Sequence, residues 1–104
     1  MRRVSYQEIS RFPQVRRDLA VVLDEDVTLR TLAERVTLAA SSLLRDLRVF
    51  DVYRGPGLEL GRKSVALGLI FQDISRTLTD DDVERLMVSV KADLRENQNA
   101  RFRE

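Results

Sequence analysis

Cysteine, histidine and tryptophan are absent from this chain of 104 residues. Without cysteine it can form neither a disulfide framework nor a thiolate metal site, which is typical of proteins of the reducing cytoplasm. Without histidine it lacks the commonest general base and the commonest ligand of transition metals. These absences remove the side chains on which most acid–base catalysis and transition-metal binding depend, and they fit a cytoplasmic location.

Long apolar runs and a strong net charge are also missing. No segment approaches the roughly eighteen consecutive apolar residues of a membrane-spanning helix, and the sequence predicts no secretory signal after Met1-Arg2-Arg3. Hydrophobic residues at 43% and charged residues at 34% predict one globular domain, residues 1–104, with a single core. Because the net charge is only +1, a polyanionic partner has to be met by a local basic patch.

Hydrophobic periodicity predicts the order strand, helix, strand, strand, helix, strand. This order is that of the ferredoxin-like βαββαβ fold, an α+β sandwich. We therefore expect a four-stranded antiparallel sheet with both helices on one face and the other face open. The predicted segments are an N-terminal arm over 1–15, a strand over 18–24, a helix from Thr28 to about 41–44, a hairpin over about 47–72, a helix from Thr79 to about 96, and a final strand over 100–104.

The second strand of the hairpin has one apolar side and one nearly bare side. Large apolar residues alternate with small ones, so the two sets line opposite faces of the sheet. The bare face leaves room for a flat group, with Asp51 and Tyr53 of the first hairpin strand beside that space. The expected open face consists of Ala20, Val22, Val49, Asp51, Tyr53, Ser64, Ala66, Gly68 and either Arg101 and Arg103 or Phe102.

Four ordered motifs carry a resemblance to a known family. They are FPQVRRDLA over 12–20, FDVYRG over 50–55, GRKS over 61–64, and FQD over 71–73 with RTLTD over 76–80. Together they resemble the ferredoxin-fold anticodon-binding domain at the C-terminus of the β subunit of bacterial phenylalanyl-tRNA synthetases. The similarity runs from about Tyr6 to Leu94. Arg62 stands where the family usually has lysine, and the last residues lack the usual Leu-Arg ending.

The resemblance implies an RNA-binding module that has no catalytic residue and no cofactor of its own. It would bind the anticodon stem-loop of phenylalanine tRNA as part of a larger tRNA ligase. The remainder of the β subunit and the α subunit would be its protein partners, and ATP and magnesium would be used elsewhere in that enzyme. The resemblance places anticodon contacts at Ala20, Asp51, Tyr53 and Ser64.

The chemistry of these residues agrees with that implication. RNA loops are recognised by stacking unpaired bases on aromatic side chains and by hydrogen bonds to their edges. Tyr53 can supply the stacking surface, Asp51 can accept from a guanine edge, and Ser64 can donate and accept. The side chain of Ala20 is small enough for a base to approach the backbone. The candidate phosphate contacts are Arg17, Arg48, Arg54, Arg62, Lys63, Arg101 and Arg103.

Each assignment also has an ordinary structural interpretation. Tyr53 can simply cover the edge of a sheet. The small residues of the open face can pack against another copy of the chain, and scattered basic residues usually form a solvated surface. The acidic residues Asp80, Asp81 and Asp82 fit a helix N-terminus better than a metal site. Asp51 can form an ordinary ion pair with Arg48, Arg54 or Lys63.

Two other classes of function remain to be compared. An acylphosphatase-like enzyme on this fold would need a phosphate-binding loop after the first strand, but the turn there reads Asp24-Glu25-Asp26 and would repel phosphate. A regulatory or dimerising ferredoxin-like module without RNA binding is the main alternative. A stable dimer that is indifferent to RNA would support it.

Overall fold

The computed structural model describes residues 12–103, and for Arg103 the backbone only. Most of the expected N-terminal arm therefore lies outside the described residues. The elements are β1 (Val15–Asp24), α1 (Leu29–Ala40), a short 3-10 helix (Ser41–Leu43), β2 (Leu44–Tyr53), β3 (Arg62–Phe71), α2 (Asp80–Gln98) and β4 (Arg101–Arg103).

The strands form one antiparallel sheet in the order β2-β3-β1-β4. This arrangement confirms the predicted ferredoxin-like α+β fold. Strands β1 and β2 each begin three residues earlier than the periodicity indicated, at Val15 and Leu44. No helix of the described part is long and apolar enough to cross a membrane.

The core lies between the two helices and one face of the sheet. Alternate residues of β1 and β3 supply the sheet side, and the apolar stripes of both helices cover them. An ion pair between Arg35 of α1 and Asp93 of α2, at 2.9 Å, joins the helices at the edge of this layer. The fully buried large side chains are Leu23, Leu32, Leu67, Leu69, Phe71, Leu94, Val21, Val36, Val65, Val83 and Val90. The other face of the sheet remains without a helix.

Both predicted helix starts are confirmed by their caps. The Thr28 side chain accepts from the amide of Thr31. At α2, Thr79 accepts from the Asp82 amide while the Asp82 carboxylate accepts from the Thr79 amide, which completes a capping box. Arg76 also donates to that carboxylate, and this hydrogen bond, together with those from Thr79, holds the pKa of Asp82 well below its usual range.

A β-bulge in β2 changes one part of the predicted open face. Val49 pairs with Leu67 and Asp51 pairs with Ala66, so Phe50 has no partner of its own in the ladder. Because Leu67 faces the helices, Val49 faces that side too, and the expectation that it lies on the open face is wrong. Phe50 occupies that face instead, where its ring lies against Gly68.

The last strand has a single register, which the sequence left undecided. Phe102 pairs with Val21 and packs against the core, and the cations of Lys91 and Arg95 lie within 6 Å of its ring, at 5.8 and 5.0 Å from the centroid. Arg101 pairs with Val22, so it belongs to the open-face side of the sheet.

Candidate nucleic-acid interface

A shallow cavity of about 340 Å³ lies on the face of the sheet that the helices leave uncovered. All four residues that the resemblance placed in contact with anticodon bases line it. The lining residues are Ala20, Asp51, Tyr53, Pro56, Ser64 and Ala66. The structure thus brings together residues from three strands and from the loop that follows β2.

The pairing of the strands explains why these side chains converge. Residues directly opposite each other in an antiparallel ladder point to the same face of the sheet. Two neighbouring rows of three residues run across this face from β2 through β3 to β1, and five of the six residues line the cavity. The rows are Asp51, Ala66 and Ala20, and then Tyr53, Ser64 and Val22.

Tyr53 is held in place by the loop that begins after it. Its hydroxyl donates a 2.7 Å hydrogen bond to the carbonyl oxygen of Pro56, and the residue remains 39% exposed. Gly55 adopts a φ of 136°, a conformation that glycine tolerates and other residues rarely adopt. A Cβ at this position would also stand 3.5 Å from the Tyr53 hydroxyl. The loop therefore fixes the orientation of an aromatic ring whose surface stays accessible.

Asp51 is exposed beside this ring and is not used in the ion pairs expected of it. In the part of the chain that the structure describes, no ion pair or hydrogen bond engages its carboxylate. Its acceptors therefore face solvent above the cavity. The three cations considered as partners bind other acids: Arg48 binds Asp46 at 2.8 Å, Arg54 binds Glu25 at 2.9 Å, and Lys63 lies 3.9 Å from Glu25.

Ser64 and Ala20 form the floor of the cavity. Ser64 is only 5% exposed, so a bound group would reach it from directly above. Ala20 is partly buried and adds no more than a methyl group to the surface. Both residues keep the floor low, which allows a flat ring to approach the sheet.

The acidic turn after β1 anchors the loop that carries Pro56. The Glu25 carboxylate accepts two hydrogen bonds from the Arg54 guanidinium, and the Glu25 amide donates to the carbonyl oxygen of Gly61 at 2.7 Å. The hydrogen bond from Arg54 is the main reason why the pKa of Glu25 is lowered. This turn, which argued against a phosphate-binding loop, thus holds both ends of the β2–β3 loop.

Two of the candidate phosphate contacts, Arg62 and Lys63, have buried side chains. The Arg62 guanidinium donates to the Asp24 carboxylate at 2.8 Å and to the carbonyl oxygens of Val22 and Asn99 at 3.2 and 3.0 Å. Its side chain is 7% exposed, and that of Lys63 is 6% exposed. Arg62 therefore binds a carboxylate and two backbone carbonyl oxygens, and the ammonium group of Lys63 lies 3.9 Å from the Glu25 carboxylate. The geometry gives neither residue a route to a phosphate without rearrangement.

The remaining candidate cations are distributed over both sides of the sheet. Arg17 lies on the helix side, 3.9 Å from Asp80 at the start of α2. Arg48 lies on the open face, and Arg101 pairs with Glu59 at 2.8 Å beside a second shallow cavity. Arg54 binds the Glu25 carboxylate in the turn after β1. The backbone of Arg103 pairs with that of Ala20.

Two residues of the open face escaped the sequence analysis. The Arg16 guanidinium lies 4.7 Å from the centroid of the Phe50 ring, and both border a cavity of about 180 Å³. Strict alternation had placed Phe50 on the helix side, and the bulge reverses that placement. One signal could have indicated it, since a glycine such as Gly68 in a strand interior often has an aromatic side chain from the next strand covering it.

Comparison with known proteins relates the chain to one subunit of a tRNA ligase. Proteins named phenylalanine–tRNA ligase beta subunit are 45% identical over 98 residues in Pseudomonas savastanoi pv. phaseolicola and 46% identical over 99 residues in Methylococcus capsulatus and in Coxiella burnetii. The matches cover 94%, 95% and 94% of this chain, respectively, but only 12% of each relative. The chain therefore spans about an eighth of the length of these relatives.

A sequence model of one domain family covers nearly the whole chain. Its description is "Ferredoxin-fold anticodon binding domain", and it matches residues 10–103. The match includes every strand and helix described above and all four residues of the open-face cavity that the motifs had indicated. The chain belongs to the ferredoxin-fold anticodon binding domain family.

Proposed function

We propose that this chain recognises the anticodon stem-loop of phenylalanine tRNA with the open face of its sheet, as a module of a phenylalanyl-tRNA synthetase. One observation carries the proposal. Tyr53, Asp51, Ser64 and Ala20, from three strands, meet in a single shallow cavity on the side that no helix covers. The names of the relatives support the choice of phenylalanine tRNA.

The cavity suits an unpaired base. A base that stacks on Tyr53 directs its edge across the floor towards Asp51 and Ser64. The carboxylate of Asp51 offers acceptors only, which suits the N–H groups of guanine and disfavours bases that present acceptors at the same positions. Because the ring of Tyr53 is already held by Pro56, little conformational entropy is lost when a base stacks on it.

Affinity from phosphate contacts should be modest. The net charge is +1, and Arg62 and Lys63 are occupied inside the fold. Arg48 and Arg101 are exposed on the open-face side and can exchange their carboxylate partners for phosphates, since exposed ion pairs are weak. We therefore expect the isolated chain to bind RNA weakly and to contribute selectivity within a larger enzyme.

The chemistry of aminoacylation would take place outside this chain. The chain corresponds to about an eighth of each relative, so the rest of the β subunit and the α subunit would supply amino-acid activation with ATP and magnesium. In that arrangement the module positions the tRNA and has no catalytic residue of its own.

A titration followed by NMR tests the proposal. The ¹⁵N-labelled chain is titrated with an anticodon stem-loop of phenylalanine tRNA and, as a control, with the same hairpin carrying adenine in place of the anticodon guanine. We expect shifts at the amides of Ala20, Asp51, Tyr53 and Ser64 with the first hairpin and much smaller ones with the second. Shifts confined to α1 and α2, or a stable dimer that ignores both hairpins, would contradict the proposal.

A further inference from the structure

The open face carries a second aromatic site, whose residues do not line the cavity beside Tyr53. It comprises Phe50, Arg16, Arg48, Gly68 and Ile70, which together line a cavity of about 180 Å³. Phe50 is 52% exposed, although a phenylalanine with no structural need for solvent is usually buried. The bulge in β2 is what places it there. An exposed aromatic ring on an otherwise low surface requires an explanation.

The absence of a side chain at Gly68 allows the Phe50 ring to lie on the sheet. A Cβ at that position would stand 2.8 Å from both Cε2 and Cζ of the ring, which is closer than real contacts. Phe50 thus rests directly on the backbone of β3. This support restricts the ring, so its exposed surface is presented in one orientation.

A planar cation completes the site. The guanidinium of Arg16 lies 4.7 Å from the centroid of the Phe50 ring, within the range of a cation–π interaction. Arginine planes and aromatic rings are both surfaces on which RNA bases stack. Arg16 is bound to Asp18 at 3.0 Å and Arg48 to Asp46 at 2.8 Å, with side chains that are more than half exposed for both arginines. Such pairs are weak enough for a phosphate to compete for the arginine.

The site lies on the same face of the sheet as the cavity beside Tyr53. Gly68 lies four residues beyond Ser64 on β3, about 13 Å at the usual rise of a strand, and both face the same side. An RNA strand that places one base on Tyr53 would carry its next unstacked nucleotides along this row. Two arginines beside an aromatic ring suit an anionic chain of flat bases better than an apolar peptide.

We propose that Phe50 and Arg16 form a second nucleobase subsite, which stacks another loop base of the same RNA strand while Arg48 contacts its phosphate. This inference rests on the proposed function. It assigns recognition to residues outside the set Ala20, Asp51, Tyr53 and Ser64. It also predicts that two separate bases of the loop, one at each aromatic ring, contribute to affinity.

Abasic hairpins combined with substitutions test the subsite. Binding of the 104-residue chain is measured by fluorescence anisotropy for the intact anticodon stem-loop and for hairpins with one abasic loop position each. We expect Phe50→Ala to weaken binding of the intact hairpin by about fivefold or more. The loss should disappear with one abasic hairpin, and the loss caused by Tyr53→Ala should disappear with a different one.

Matched variants control for fold and charge. Val88→Ala removes an exposed apolar side chain from α2, and Arg30→Gln leaves Glu34 unpaired on α1 as Arg16→Gln leaves Asp18. We expect both controls to bind as the parent chain does, and Arg16→Gln to bind about two- to fivefold more weakly. If Phe50→Ala changes the ¹⁵N spectrum beyond the neighbours of residue 50, Arg16→Gln becomes the variant that tests the subsite.

The outcomes separate the two proposals. If Tyr53→Ala weakens binding and neither Phe50→Ala nor Arg16→Gln does, the subsite is wrong and the proposed function stands. A loss for Phe50→Ala that stays the same with every abasic hairpin also overturns the subsite, because no base would then account for it. If none of the three substitutions changes binding, the proposed function fails together with the subsite.

Discussion

The hydroxyl of Tyr53 donates a hydrogen bond of 2.7 Å to the carbonyl oxygen of Pro56, three residues further along the chain. This bond ties the aromatic ring of the cavity to the loop that leaves β2. The ring has an exposed surface for stacking, whereas its polar end is already satisfied. The stacking and the orientation of Tyr53 can therefore be separated by two substitutions.

Tyr53→Ala removes the stacking surface, and we expect it to weaken binding of the anticodon stem-loop by about 1–3 kcal/mol. Tyr53→Phe keeps the ring and removes only the hydrogen bond to Pro56, so its effect should stay within about 0.5–1.5 kcal/mol. Calorimetry or anisotropy titrations measure both, with Val88→Ala as the control. Equal losses for the two variants would mean that the hydroxyl, and not the ring surface, is what the RNA requires.

Arg62 should matter for stability and not for RNA affinity. Arg62→Ala leaves the Val22 and Asn99 carbonyl oxygens without this donor, and we expect the free energy of unfolding to fall by roughly 1–3 kcal/mol. Arg101→Ala, in an exposed ion pair, should change it by less than about 0.5 kcal/mol. Urea denaturation compares the two variants.

The salt dependence of RNA binding should distinguish the same two variants in the opposite way. We expect Arg101→Ala to lower the slope of log affinity against log salt by about one, and Arg62→Ala to leave it unchanged. A reduced slope for Arg62→Ala would show that this arginine reaches a phosphate after all, which would require it to leave its buried partners.

Acid should destabilise the fold through four carboxylates whose pKa values are lowered. The main cause is a hydrogen bond from arginine for three of them: Arg54 for Glu25, Arg48 for Asp46 and Arg76 for Asp82. For Asp73 the amide and hydroxyl of Ser75 lower the pKa. A carboxyl group with a lowered pKa in the folded state stabilises it above the unfolded pKa, near 4, and loses this contribution as the pH falls further.

Thermal denaturation between pH 7 and pH 2 measures this effect. We expect the melting temperature to be nearly constant down to about pH 5 and then to fall as the pH drops below the unfolded pKa values. Glu25→Gln should show a shallower fall, because one of the four groups no longer titrates. A melting temperature that does not change between pH 5 and pH 2 would be incompatible with these ion pairs.

Gly68→Ala should displace the Phe50 ring. The added Cβ meets the far end of an exposed side chain, which can rotate away, so we expect the stability to fall by less than about 1 kcal/mol. RNA affinity should nevertheless fall about as much as in Phe50→Ala. The double variant should bind no more weakly than Phe50→Ala alone, and a further loss would indicate that Gly68 itself contacts the RNA. Ring chemical shifts of Phe50 report the displacement.

Much of the architecture could be predicted because local signals agreed with one another. The alternation in β3 identified Val65, Leu67 and Phe71 as core residues, and all three are fully buried. Thr79 with Asp82 gave the start of α2 to the residue, since a capping box depends only on neighbours in the sequence. Signals of this kind do not require knowledge of the tertiary structure.

The sequence analysis missed features that depend on contacts between distant segments. The bulge at Phe50 is a property of the β2–β3 ladder. Strict alternation of side chains along one strand cannot reveal an extra residue of this kind. Arg62 and Lys63 are buried because Asp24 and Glu25 from another strand end lie beside them. Sequence alone does not show which charged residues will find such partners. Alternation placed Ala20, Asp51, Tyr53 and Ser64 on the open face and the resemblance implied their role, whereas only the structure places Arg16 and Phe50 there.

The β2–β3 ladder leaves two residues of β2 without a partner, Arg45 near its start and Phe50 in the bulge described above. Val49 and Asp51 pair with consecutive residues of β3, Leu67 and Ala66, so a chain without Phe50 could form this part of the ladder without a bulge. Asp51 and Tyr53 would keep their side of the sheet in such a shortened chain. Phe50 is thus a removable addition to the proposed recognition surface, and its deletion would leave an open face with Tyr53 as the aromatic ring of the proposed site.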